Sequence, residues 1–66
     1  MNYEQQKQSE YIRADIRDLQ RDIKRLQEIR ESRKSQIDRD ILAYSIDMHQ
    51  VLIDRLIAKL VRVEDN

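Results

Sequence analysis

Cysteine, glycine, proline, phenylalanine and tryptophan are all absent from this 66-residue chain, and histidine occurs once. Without cysteine no disulfide can staple the fold, and a single histidine with no thiol cannot build a tetrahedral zinc site. Without glycine or proline the chain lacks both the residue that favours left-handed turns and the one that breaks helices. Charge of one sign is missing as well. Thirteen Lys/Arg balance thirteen Asp/Glu, so no strong overall field draws the chain to nucleic acid or anionic lipid. A domain of this size buries only about 60% of its unfolded surface. With disulfides and metal excluded, a partner is the remaining source of added stability.

The opening "MNYEQQKQSE" has no apolar core of a signal peptide. The most apolar stretch, residues 41–61, is interrupted by Asp47, His49, Asp54, Arg55 and Lys59, which is too polar for a membrane span. The expectation is a cytoplasmic chain with no membrane contact, and no motif calls for a cofactor.

What the chain has in abundance is Arg, Gln, Glu, Leu and Ile, all compatible with helix. In the first half Ile12, Ile16, Leu19, Ile23 and Leu26 recur at steps of four, three, four, three, a heptad seam confined to an arc of about 80°. The next seam positions are Arg30 and Arg33, and "RESRKSQ", residues 30–36, contains no apolar residue. Ser35 followed by Asp38 resembles a capping box that opens a second helix.

That second segment is apolar over far more of its circumference. With Ile37 at 0°, Val51, Tyr44, Ile37, Met48, Ile41, Leu52 and Leu56 fall between about −40° and 100°. A second group, Leu42, Leu60, Ile53, Ile46 and Ile57, falls between about 140° and 200°. One narrow seam on helix one can cover only part of this. The expected fold is therefore all-α: a single domain over 1–66, an antiparallel hairpin with helix one about 4–31, a turn about 32–36 and helix two about 37–63. Dimerisation would place both second helices inside a four-helix bundle. The alternative is one continuous helix in a coiled coil, its heptad shifting phase through the polar stretch.

His49 lies near 120°, inside the apolar arc, where it reads either as a hydrogen-bonded interface residue or as a general base. Ser45 lies one turn earlier, but no glycine turn is present to shape an oxyanion hole, which argues against a Ser–His hydrolase. Arg13, Arg17, Arg21 and Arg25 form a basic diagonal that could track phosphates. Asp15, Asp18 and Asp22 run beside it, so a solvated network of ion pairs fits that pattern better.

Residues 38–52, "DRDILAYSIDMHQVL", resemble the core motif of the small aspartyl-phosphate phosphatases that act on the sporulation phosphorelay. Asp40, Ile41 and Leu42 look like the motif's lead, Ser45 like its serine, Asp47 stands for its Glu, Met48 for its Leu, and Val51 and Leu52 for its closing aliphatics. Ile46 and His49 depart from the motif's Gln and Asp, and the family's loop glycine is absent. The resemblance implies a two-helix hairpin that docks on a phosphorylated response regulator and hydrolyses its acyl phosphate, with Ser45, Asp47 and His49 near the phosphoryl group.

Taken from the residues themselves, the leading expectation is a non-enzymatic helical interaction module that self-associates, as a homodimer, or docks its second helix on a partner protein. Its anchors would be Ile46, Ile53, Ile57 and Leu60, with His49 setting geometry. A phosphatase or binder of a phosphorylated response regulator is the second reading. An RNA- or DNA-binding hairpin working through the arginine diagonal is the third, and the neutral charge weighs against it.

Overall fold

In a computed structural model of the chain, which describes residues 2–65, two helices of equal length pack antiparallel: α1, Tyr3–Ser32, and α2, Gln36–Asp65. The single continuous helix is thereby excluded, and no strand is present among the described residues. Each helix begins on a polar cap. Asn2 Oδ1 accepts from Gln5 N at 2.8 Å while Gln5 Oε1 accepts from Asn2 N at 3.0 Å, satisfying backbone donors that the first turn leaves open. At the start of α2, Ser35 Oγ accepts from Asp38 N at 3.5 Å, and Arg39 N donates to the Ser35 carbonyl at 3.1 Å.

The chain reverses in three residues, 33–35, without glycine and without a positive φ among the described residues. Arg33 sits in extended backbone, φ −85° and ψ 136°, and its N–H donates to the Arg30 carbonyl at 3.2 Å. Ser32 Oγ donates to the Ile29 carbonyl at 2.7 Å. These bonds satisfy carbonyls that α1 would otherwise leave open at its end. A helix can thus be stopped by one extended residue, so the missing glycine was no obstacle to a hairpin.

The molecule is a rod of 50 × 15 × 10 Å with a radius of gyration of 15.3 Å, against about 11 Å for a globular chain of this length. Its core is a single line. Ile12 on α1 and Ile53 on α2 are buried, and Ile16, Leu19, Ile23 and Leu26 continue the α1 seam half-buried. From α2, Leu42, Ile46, His49, Leu56, Leu60 and Val63 are half-buried on the side that holds Ile53. Such a thin interface leaves much surface uncovered. The accessible area is 5388 Å², whereas a folded monomer of 8.1 kDa exposes about 4,500 Å².

Candidate functional site

The seam of α1 needs one apolar face of α2, and the face it takes is centred near 140°, the side of Leu42, Ile46, Ile53 and Leu60. Of the five residues expected to bind a partner, Ile53 is buried at 2% exposure, Ile46, His49 and Leu60 are half-buried, and Ile57 alone is exposed, at 45%. Four of those anchors are therefore engaged within the hairpin. The face available to a partner is the other one: Ile37, Ile41, Tyr44, Met48, Val51 and Leu52 are between 40% and 71% exposed. The first five recur at steps of four, three, four, three, the spacing that accepts a helix. Together the six cover about 100° of α2 and roughly 22 Å of its length.

Carboxylates border this stripe. Asp40, Asp47 and Asp54, spaced by seven and exposed, lie between about 260° and 300°, along one edge. On the other edge Asp15 and Asp18 of α1 line a cleft with Leu19, Leu52, Arg55 and Leu56. Nearer the turn, Asp38 lines a second cleft with Ile29, Arg33, Ile41 and Leu42. Six carboxylates thus flank the stripe, with one guanidinium toward each end.

Of the three residues that the phosphatase resemblance would place at a phosphoryl group, Ser45 and His49 lie together and Asp47 lies apart. Ser45 and His49 are half-buried on the α1 side, and His49 Nδ1 bonds the Ser45 carbonyl at 2.7 Å. That contact lies within α2, not across an interface, and a proton on Nδ1 makes it a donated bond. Asp47 is exposed about 160° around the helix from both. No nucleophile, base and oxyanion donor converge here.

The arginine diagonal is partly engaged. Arg13 binds Glu64 through its guanidinium, and Arg21 lies 3.8 Å from Asp18. Arg17 and Arg25 are exposed, and Arg17 lines a cleft with Ile16, Ile57 and Leu60.

Two features escape a motif search. At one end of the hairpin Glu64 Oε1 accepts from Ser9 Oγ at 2.9 Å and from Arg13, and Ser9 is 5% exposed. This clasp joins the start of α1 to the end of α2. The hydrogen bond from Ser9, then that from Arg13, holds the Glu64 carboxyl below its ordinary value of 4.5. The signal was a polar residue at a seam position, because Ser9 precedes Ile12 by three and Glu64 falls at about 180° among apolar residues. At the other end Arg30 occupies a seam position, and its Nε is buried with no hydrogen-bond partner.

No helix among the described residues is long and apolar enough to cross a membrane. Comparisons with protein-family models, with curated proteins and with solved structures return no match.

Proposed function

We propose that the chain is a non-enzymatic helical interaction module whose working surface is the apolar stripe of α2 from Ile37 to Leu52. One observation carries this reading: after α1 has taken its face of α2, a second heptad-spaced face stays bare. The rod exposes about 900 Å² more than a monomer of its mass should, close to one partner's share of a standard interface. An exposed apolar stripe rimmed by polar residues marks a site of association. The separation of Asp47 from Ser45 and His49 supports a binding role over a hydrolytic one.

The test is sedimentation of the chain over a dilution series, alone and with amphipathic helical peptides. Association is expected and should vanish in the double variant Ile41→Asp/Met48→Asp, whose positions are exposed and whose helicity should persist. A wild-type chain that stays monomeric and ignores every such peptide would refute the proposal.

A further inference from the structure

Building on that reading, we infer that the stripe is shaped for a basic amphipathic helix of another protein rather than for a second copy of this chain. Charge along the edges of the stripe distinguishes the two occupants. A helix laid along Ile37, Ile41, Tyr44, Met48 and Val51 brings its flanking residues against both borders of the stripe. One border carries Asp40, Asp47 and Asp54, and the other carries Asp38 with Asp15 and Asp18 of α1. Arg33 and Arg55 are the bases that line the same clefts. Arg21 lies 3.8 Å from Asp18, so three guanidiniums stand against six carboxylates. A chain with zero net charge therefore presents a local excess of three negative charges around its bare apolar face.

A second copy meets this arrangement badly in either direction. Paired antiparallel about a two-fold axis, the row Asp40, Asp47 and Asp54 faces the same row of its mate. Paired parallel, that row faces the opposite border, where Asp15 and Asp18 lie. The parallel register sets Asp54 near Lys59 and the row toward Arg33 and Arg55. These bases lie at the ends of the stripe or beyond its last apolar residue, and Asp15, Asp18 and Asp38 share that border with them. Like charges opposed across an interface suppress a wrong partner. A foreign helix of about 16 residues, with apolar residues at heptad spacing and Lys or Arg on both flanks, satisfies the apolar stripe and both rims together.

The probe is a synthetic helical peptide with Leu and Ile at heptad spacing and Lys flanks, titrated into the full chain. Two companions share its design: one has Glu flanks, the other keeps the Lys composition but scrambles the apolar positions. The Lys peptide should bind, and the Glu peptide should bind about 30-fold more weakly or less, the effect of roughly four exposed charge pairs. The scrambled peptide should bind little. Asp47→Asn/Asp54→Asn should weaken the Lys peptide several-fold, and high salt should do the same. Equal binding of the Lys and Glu peptides, or of the Lys and scrambled peptides, would overturn the inference. So would a self-dimer that excludes the peptide, although the interaction module would stand. A chain that binds no peptide and remains monomeric at every concentration removes both.

Discussion

Replacing isoleucine by alanine at two positions of α2 separates the face that makes the hairpin from the face proposed to bind a partner. Each substitution removes three carbons, worth about 2.4 kcal/mol if fully buried. Ile53 is 2% exposed, so Ile53→Ala should cost the hairpin that amount plus a cavity contribution, about 3 kcal/mol. A chain of this length has only roughly 3–10 kcal/mol in total, so this variant should sit near its unfolding threshold. Ile41 is 63% exposed. In the free hairpin Ile41→Ala forfeits about 1 kcal/mol of burial, and alanine's better helix propensity returns a few tenths. In a complex the exposed part becomes buried, so the same substitution should weaken binding of the Lys-flanked peptide by about 1.5 kcal/mol, roughly tenfold. Urea melts at a dilution where the chain is monomeric give the first pair of numbers, and peptide titration gives the last. If Ile41→Ala destabilises the free hairpin as much as Ile53→Ala does, the assignment of inner and outer faces is wrong.

Three further outcomes are expected. Arg30→Met should stabilise the hairpin by about 1 kcal/mol in a urea melt, because it removes a buried donor that has no partner and keeps the length of the side chain; a loss of stability would show that the guanidinium is engaged. The Glu64 pKa is depressed in the folded chain, so the clasp to Ser9 and Arg13 contributes fully above the ordinary glutamate range. That contribution is lost as pH falls through the lowered value; amide exchange at the two joined ends should quicken there, and in Glu64→Gln this acid response should disappear. Finally, the chain should not accelerate loss of acyl phosphate from a phosphorylated response regulator; acceleration abolished by Asp47→Ala would restore the phosphatase reading.

Most of the fold was readable along the chain because its signals are local. The seam of α1 follows from five aliphatic residues at heptad spacing, and the break follows from a run with nothing to bury. Helical propensity needs no partner to be expressed. Ser9, Glu64 and Arg30 were harder to read, since a polar residue at a seam position acquires meaning only when its opposite number is known.

The amino-acid sequence by itself determined that the chain is helical throughout, where its apolar pattern breaks, and that the second half is too apolar for one companion to cover. That the break is a turn and not a phase shift in one long helix was decided by the tertiary structure. Which side of α2 is covered was decided only by tertiary packing. Periodicity places residues around an axis but does not say from which direction the neighbour comes. The face chosen holds Ile53 within the core line and lets Glu64 reach Ser9 and Arg13 at the far end of α1. That choice leaves Ile37 to Leu52 bare and its carboxylate borders exposed.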